Sequence, residues 1–310
     1  MILVGDIGGT NARLALAAPG TTDPIAERRY ATADFGDFES VVAAFLAETK
    51  ATITAGCLAV AGPISDDGRS AKLTNLPWTI DVDALAARFH LGHLTLANDF
   101  AAAAIGVTVA PAETLVPLQD GEPLGQAPKL VIGAGTGLGM ATLVRHGDAW
   151  RVLAGEGGHV AFAPLDEDQD RILHALRAEH GRVTAERVIS GPGLAAIHRI
   201  LAGANLDPAE ITRRALLEAD AAALDSLDVF LSAYGAFAGD MAMAVMARGG
   251  VYLAGGIAAK LLPILPASPF LIAFNAKAEH AGLVRRMPVA VVTDPSLGLR
   301  GAACLITPTY

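Results

Sequence analysis

Residues 2–16 read Ile2-Leu3-Val4-Gly5-Asp6-Ile7-Gly8-Gly9-Thr10-Asn11-Ala12-Arg13-Leu14-Ala15-Leu16, a glycine-rich turn between two apolar runs. The arrangement returns in residues 130–143, which read Leu130-Val131-Ile132-Gly133-Ala134-Gly135-Thr136-Gly137-Leu138-Gly139-Met140-Ala141-Thr142-Leu143. Glycine lets the backbone N–H groups of a turn approach a bulky anion, and the threonine hydroxyl adds a donor. Two such turns, one in each half of the chain, predict a nucleotide held by its phosphates in a cleft between two lobes.

Neither turn is one of the two commoner phosphate-binding loops. The sequence contains no Gly-x-x-x-x-Gly-Lys-Ser/Thr stretch, as a Walker loop requires. The dinucleotide fingerprint fails because Leu138 or Met140 stands where its last glycine is needed. The residues after each turn form short apolar runs, which are typical of strands rather than helices. Each turn is therefore predicted to be the tip of a β-hairpin, and the plain alternative is an ordinary hairpin that binds nothing.

A third glycine pair, Gly255-Gly256, follows a short apolar run and precedes a segment of helical character. At the carboxyl end of a strand, a Gly-Gly pair lets a flat base or a ribose pack against the backbone. Gly-Gly turns are common, so this pair is informative only together with the two hairpins.

Alternating apolar patterns predict an α/β protein with mixed sheets and helices on their faces. The predicted elements after the first hairpin are helix 38–49, strand 55–62, helix 81–89 capped by Asp81, strand 94–97 and helix 100–106. Proline and glycine become frequent over residues 107–128, and no regular element is predicted there. The lobe boundary is accordingly placed near Val109, with a small lobe over 1–109 and a large lobe over 110–297.

Composition limits the classes of protein that are possible. A chain of 310 residues buries enough surface to fold without a staple. Its two cysteines, far apart in sequence, fit a reducing cytosol, and the first residues lack the basic segment of a signal peptide, so a cytoplasmic location is expected. The net charge of −9 argues against a nucleic-acid partner. Residues 229–246 are nearly apolar enough to span a membrane, but Asp240 and helical spacing favour a buried helix, and no membrane partner is expected.

The sequence resembles the fold shared by actin, Hsp70 chaperones and sugar kinases, and within it the bacterial ATP-dependent glucokinases. The blocks that carry the resemblance are Asp6 to Arg13, Leu73-Thr74-Asn75, Asn98-Asp99-Phe100, Gly133 to Gly139, Gly155-Glu156-Gly157-Gly158-His159-Val160 and Ala185-Glu186-Arg187-Val188-Ile189-Ser190-Gly191-Pro192-Gly193. The resemblance implies a two-lobed actin-like ATPase (ribonuclease H-like) fold, with residues 298–310 returning to the small lobe. The related repressor/kinase branch with a cysteine-rich zinc motif fits poorly, because Cys57 and Cys304 are isolated. No protein ligand set for a metal is expected.

Asn98-Asp99 is the candidate for the chemistry, because it lies where a strand ends and a helix begins. A carboxylate there can take a proton from an attacking sugar hydroxyl. The local sequence is equally well explained by an N-cap, and only the resemblance makes Asp99 the catalytic base. The resemblance also assigns Asn98, Asp99, Glu156, His159 and Glu186 to glucose, with Asn75 as a weaker addition.

The resemblance distributes the nucleotide over three segments. Phosphates are expected on Gly8, Gly9, Thr10, Asn11 and Arg13 in the small lobe and on Gly135, Thr136 and Gly137 in the large lobe. Adenosine is expected at Gly255 and Gly256. Asp6 is expected to orient Mg²⁺ through water, since Mg²⁺ retains several waters and binds few carboxylates.

The expected activity is transfer of the γ-phosphate of ATP to the 6-hydroxyl of glucose, by a protein that the resemblance implies to be a homodimer. Kinases of mannose or N-acetylglucosamine, an actin-like or chaperone-like ATPase and a non-catalytic sugar sensor are the alternatives. ADP or polyphosphate as the phosphoryl donor is also left open by the residues.

Overall fold

A computed structural model of the chain describes residues 1–73 and 76–306. Within these ranges the chain folds into two compact units. Unit 1 comprises residues 1–112, 145–154 and the described residues from 294 onward, and unit 2 comprises residues 113–144 and 155–293.

The strands are β1 (Ile2–Ile7), β2 (Asn11–Ala17), β3 (Ile25–Ala31), β4 (Ala55–Val60), β5 (Ser70–Lys72), β6 (Thr79–Asp81), β7 (His93–Asn98), β8 (Leu115–Gln119), β9 (Lys129–Ala134), β10 (Leu138–His146), β11 (Ala149–Gly155), β12 (Gly250–Ala254) and β13 (Val289–Val292). The α-helices are α1 (Phe38–Thr49), α2 (Val82–Phe89), α3 (Asp99–Gly106), α4 (Glu167–His180), α5 (Gly191–Ala202), α6 (Pro208–Arg213), α7 (Ala221–Ala244), α8 (Gly256–Leu261), α9 (Phe270–Asn275), α10 (Ala281–Val284) and α11 (Leu297–Ile306). Short 3₁₀ turns include Gly157–His159 and Ala185–Arg187.

The first sheet is built around β1 and has the strand order β3-β2-β1-β4-β7. β1 pairs antiparallel with β2 and parallel with β4, which in turn pairs parallel with β7. Alternate residues of β1 enter two different clusters, Leu3 and Ile7 on one face and Ile2 and Val4 on the other. A strand covered on both faces needs an almost continuous apolar sequence, and this explains why residues 2–7 are so apolar.

The second sheet repeats this order, β11-β10-β9-β12-β13, with β8 added at its edge. β9 pairs antiparallel with β10 and parallel with β12, just as β1 pairs with β2 and β4. Both glycine-rich turns therefore lie at the tips of β-hairpins, as the sequence predicted, and each tip adjoins the carboxyl ends of parallel strands.

β8 is a correction to the sequence reading, which predicted no regular element over residues 107–128. It pairs antiparallel with β13 at the edge of the second sheet. Pro117 in its middle cannot donate a backbone hydrogen bond, and proline is tolerated in edge strands for this reason. Because proline is also typical of loops, the sequence pattern did not indicate a strand at this position.

In unit 1, α3 and α11 cross at very short range because glycine stands at the crossing on both helices. A Cβ on Gly301 would lie 1.7 Å from the carbonyl oxygen of Ala102, and a Cβ on Gly106 would lie 2.4 Å from that of Leu297. No side chain fits at either position, so the two backbones are in direct contact. The helix that begins at Asp99 is thereby fixed by α11.

The apolar segment at residues 229–246 belongs mostly to α7, which is a core helix of unit 2. Among the described residues, α7 is the one helix long and apolar enough to cross a membrane, yet 61% of its most apolar window is buried in the protein. Phe230 and Tyr234 pack into the core with Phe270 of α9. The predicted buried helix is confirmed as far as Ala244, where α7 ends.

Candidate active site

In the turn between β1 and β2, the backbone carbonyl groups accept hydrogen bonds from within the turn and from Thr32. Gly8 N–H donates to the Asn11 carbonyl over 2.9 Å, while Thr32 binds the Thr10 carbonyl through its N–H and the Gly9 carbonyl through its hydroxyl. The N–H groups of Gly9 and Thr10 meet no protein acceptor among the described residues, and the Thr10 side chain is exposed. These two N–H groups are therefore available to a ligand, as the predicted role in phosphate binding requires.

The Arg13 side chain is hydrogen-bonded to protein groups of unit 1. Its guanidinium donates to Glu27 Oε1 over 2.6 Å and 3.0 Å, to Ser296 Oγ over 3.4 Å and to the Pro295 carbonyl. Its distance to Asp6 Oδ2 is 3.8 Å. These contacts join the first hairpin to the segment before α11, and the role of Arg13 as a phosphate ligand stays a prediction. Asn11 is held similarly, since its Oδ1 accepts from Arg29 over 2.9 Å.

Asp6 lies beneath the turn, beside the start of α11. A Cβ on Gly298 would come within 3.1 Å of its carboxylate. Burial raises the pKa of Asp6 and the Glu27 charge adds to the rise, while Arg13 opposes it. Asp6 is therefore a partly desolvated carboxylate beside one cation, Arg13, among the described residues, and this environment suits the attraction of a second cation.

Asn98 and Asp99 lie at the same edge of the first sheet as this turn. Ile7 at the end of β1 is level with Val60 of β4, and Val60 is level with Asn98 of β7. Since neighbouring strands lie about 4.8 Å apart, roughly 10 Å separates the ends of β1 and β7. Unit 1 thus brings the first phosphate turn and the candidate base to one sheet edge.

The N-cap interpretation of Asn98 holds in the structure. Asn98 Oδ1 accepts from the N–H groups of Phe100 and Ala101, both over 3.0 Å, and Asp99 Oδ1 accepts from Phe100 N–H over 2.8 Å. The cap uses only the oxygen of the Asn98 amide, and its NH₂ group meets no acceptor among the described residues. Capping therefore fixes both side chains at the helix start without consuming the Asn98 amide donor.

In unit 2, the second glycine turn is tied to two neighbouring elements. Gly135 N–H donates to the Gly137 carbonyl, and Gly191 N–H at the start of α5 donates to the Gly135 carbonyl, both over 2.8 Å. Ser190 caps α5 by accepting from Gly193 N–H over 3.1 Å. The Thr136 side chain is exposed at the tip.

Glu186 contacts this second turn directly. Its Oε2 accepts from Leu138 N–H over 2.9 Å, and a Cβ on Gly137 would lie 2.6 Å from the same oxygen. Its Oε1 has no hydrogen-bond partner in the part of the chain that the structure describes. Sequence reasoning missed the contact with Leu138, because the two residues are far apart in the chain and no local pattern links them.

Glu156 precedes a 3₁₀ turn over Gly157–His159, and His159 is the last residue of that turn. His159 N–H donates to the Glu156 carbonyl over 3.0 Å, and the two side chains are exposed with His159 Nε2 3.9 Å from Glu156 Oε2. A Cβ on Gly158 would lie 2.2 Å from the Leu138 carbonyl oxygen. This close packing aligns the turn with the start of β10. Arg182, another residue missed in the sequence, donates to the His159 carbonyl over 3.3 Å.

Gly255 lies at the end of β12 with a left-handed φ of +87°. A Cβ there would come within 3.0 Å of the Ala134 carbonyl oxygen, at the end of β9. Gly256 is exposed with open space around it. The glycine pair therefore adjoins the second phosphate turn, where the sequence reading expects adenosine.

A pocket of about 860 Å³ lies within unit 2. Thr136, His159 and Glu186 line part of it, and the rest is formed by α4, α5 and the residues around α6. Unit 2 thus gathers the second phosphate turn and two predicted sugar ligands around one cavity. Asn75, the weaker sugar candidate, lies outside the described residues.

Over residues 1–73 and 76–306, no group of three or more His, Cys, Asp or Glu side chains could hold a metal ion by itself. This observation concerns sites made of protein ligands alone. A Mg²⁺ that travels with nucleotide phosphates needs only one or two carboxylates, and Asp6 can supply one.

Comparison with known proteins identifies the family. The sequence model of the glucokinase family matches residues 3–309. A glucokinase of Yersinia pestis (strain Pestoides F) is 39% identical over 310 residues, covering 98% of this chain and 95% of that protein. The crystal structure of a glucokinase from an Antarctic psychrotroph matches with a TM-score of 0.87 and 34% identity, covering 98% of both chains.

A ROK family glucokinase from Streptomyces griseus, solved with glucose and AMPPNP, has the same fold at a TM-score of 0.65 and 20% identity, with 98% of both chains covered. These matches agree with the duplicated sheets and hairpin turns described above and confirm the actin-like ATPase fold. The chain belongs to the glucokinase family of ATP-dependent sugar kinases.

Proposed function

We propose that the protein is a glucokinase that transfers the γ-phosphate of ATP to the 6-hydroxyl of glucose. The observation that carries the proposal is the sheet edge of unit 1, where a carboxylate at the start of α3 lies level with an outward-facing phosphate turn. Family membership at 39% identity supports the same activity.

Asp99 acts as the general base and takes the proton from the 6-hydroxyl as that oxygen attacks the γ-phosphate in line. Its position at the first residue of α3, fixed by the Asn98 cap, keeps the carboxylate at the sheet edge. The Asn98 NH₂ group is available to donate to a sugar hydroxyl.

Unit 2 supplies the other sugar ligands. Glu186 Oε1 accepts from a hydroxyl, and the exposed Glu156 and His159 side chains bind neighbouring hydroxyls from their 3₁₀ turn. Gly157 and Gly158 carry no side chain that would block the ring. Carboxylates and an imidazole suit hydroxyl groups, which both donate and accept hydrogen bonds.

The nucleotide is held by the two hairpin tips. Gly8, Gly9, Thr10 and Asn11 supply donors in unit 1, with Arg13 as a further phosphate ligand, and Gly135, Thr136 and Gly137 supply donors in unit 2. Gly255 and Gly256 receive the adenosine.

The residues of the first turn fit a magnesium ion. Asp6 is a partly desolvated carboxylate whose one nearby cation, Arg13, is already shared with Glu27. Asp6 would hold Mg²⁺ through its waters, and the ion neutralises phosphate charge when bound. The Asp6 carboxylate is thus an orienting group and takes no part in proton transfer.

The test is a coupled assay of the purified protein with Mg-ATP, with and without glucose. The same assay is then made on the Asp99→Asn variant. Glucose-dependent ADP release with formation of glucose 6-phosphate is expected, and Asp99→Asn is expected to lower kcat by about 10²–10⁴-fold with glucose binding retained. Glu39→Gln, a carboxylate in the first turn of α1, is the matched control. If the Asp99→Asn variant folds and its kcat equals that of the wild type, Asp99 is not the general base.

A hexose panel decides the breadth of the activity. Mannose and N-acetylglucosamine differ from glucose at single positions, and Glu156 and His159 are exposed enough to accept either. ATP turnover that is indifferent to all sugars would indicate an ATPase, and sugar binding without turnover would indicate a sensor. We further propose a cytoplasmic homodimer without nucleic-acid or membrane partners, which mass photometry and fractionation test.

A further inference from the structure

Gly137 lacks a side chain for a reason other than backbone conformation. Its φ is outside the left-handed region, so any residue could adopt its backbone. Among the described residues, Glu186 alone stands where a side chain would be, with Oε2 at 2.6 Å and Cδ at 3.4 Å from an ideal Cβ. The Glu186 carboxylate therefore occupies the space that a side chain at position 137 would fill.

Leu138 holds the same carboxylate from the next position. Its N–H donates to Glu186 Oε2 over 2.9 Å, and hydrogen bonds to a charged acceptor are stronger than neutral ones. On its other side, the Leu138 carbonyl packs against Gly158, one residue before His159. Leu138, at the end of the second glycine-rich turn, thus contacts both predicted sugar-binding segments of unit 2: Glu186 through its N–H and the turn that contains His159 through its carbonyl.

We propose that Gly137 and the Leu138 N–H are positioning elements for Glu186, so that the second phosphate turn sets the affinity for the sugar even when no nucleotide is bound. The inference rests on the proposed function, because it takes Glu186 as a sugar ligand. With Oε2 fixed by Leu138, Oε1 is the oxygen directed to a hydroxyl. Displacing the carboxylate from Leu138 N–H removes this orientation.

Gly137→Ala tests the proposal, with Gly125→Ala as a glycine control elsewhere in unit 2. Gly125 also has a φ outside the left-handed region, and its Cβ would meet nothing within 4 Å. Glucose binding is measured by calorimetry without nucleotide, together with kcat, KM for glucose and Tm. Gly137→Ala is expected to raise the Kd and the KM for glucose about tenfold or more, which is the worth of one charge-assisted hydrogen bond. In Gly125→Ala the Kd for glucose stays within about twofold of the wild type.

A double-mutant cycle covers the case in which Gly137→Ala folds poorly. In a Glu186→Ala background the new methyl group has nothing left to displace, so Gly137→Ala should change neither glucose affinity nor Tm further. Additive losses, or a folded Gly137→Ala with wild-type glucose Kd, would overturn the proposal. A wild-type protein that neither binds nor phosphorylates any hexose would instead overturn the proposed function, so the two failures are distinguishable.

Discussion

Asp6 illustrates how a residue proposed for function can lower the stability of the fold. Burial raises its pKa, so the folded protein favours the protonated form, whereas the proposed attraction of a cation requires the ionised form. Arg13 opposes this effect, but Glu27 and Ser296 share its guanidinium. The folded state therefore holds the Asp6 carboxyl group in an environment that disfavours its charge.

Asp6→Asn is expected to raise the Tm at pH 7 by a few degrees while abolishing most of the activity. The folded-state pKa lies above the unfolded value of 3.8, so the folded state binds the proton more tightly. The contribution of this group to stability is therefore fully present below the unfolded pKa and is lost as the pH rises through the folded pKa. Because asparagine does not ionise, the Asp6→Asn variant does not lose this stability as the pH rises.

Thermal unfolding of both proteins between pH 3.5 and 8 measures the difference, with Asp34→Asn, an exposed carboxylate of unit 1, as the control. The Tm advantage of Asp6→Asn should shrink toward the acidic end. An advantage that is constant with pH, or a variant less stable at neutral pH, would contradict the electrostatic account.

At the scale of elements, the contact of α3 with α11 links the candidate base to the end of the described chain. Gly106 and Gly301 leave no room for side chains at the crossing. Any group added there must push α3 away from α11, and Asp99 begins α3.

Gly301→Ala should destabilise the protein by about 3 kcal/mol, at the upper end of the range for overpacked cores, because its methyl group would lie 1.7 Å from the Ala102 carbonyl oxygen. Gly282→Ala in α10 has open space around the methyl group and should stabilise by about 0.5–1 kcal/mol. Urea unfolding followed by circular dichroism gives both values. Equal stabilities for the two variants would show that the crossing is looser than described.

The elements also show which features a sequence can predict. The hairpins, α1 and the Asp81 cap of α2 are specified by residues close together in the chain, and all were predicted. β8 was missed because its pairing with β13 joins segments far apart and its proline suggests a loop. The contact between Leu138 and Glu186 was missed for the same reason, since only the tertiary fold brings the two residues together.

At the scale of the whole molecule, the two large sheets repeat one strand order around two hairpins. Each unit contains one glycine-rich hairpin tip together with some of the side chains proposed to bind the sugar or to accept its proton. The proposed site residues are thus divided between two separate hydrophobic cores.

The reactivity of the two cysteines can be used to test the packing of unit 1. Cys57 and Cys304 are fully buried, and burial raises the pKa of Cys57 to about 12. Because the thiolate is the reactive form, native protein should remain unmodified by iodoacetamide at pH 8 over a period in which urea-unfolded protein gains two adducts. Intact mass measures the adducts. Rapid modification of either thiol in the native protein would contradict this packing.

The division of unit 1 along the chain has a consequence for biosynthesis. Residues 294–306 are made after the whole of residues 155–293, yet α11 covers the face of the first sheet that carries Ile2, Val4 and Cys57. While unit 2 is being translated, that apolar face lacks the cover of α11 and is more exposed to chaperones and to other nascent chains. Unit 2 can therefore complete its core on the ribosome before unit 1, although unit 1 begins to emerge first.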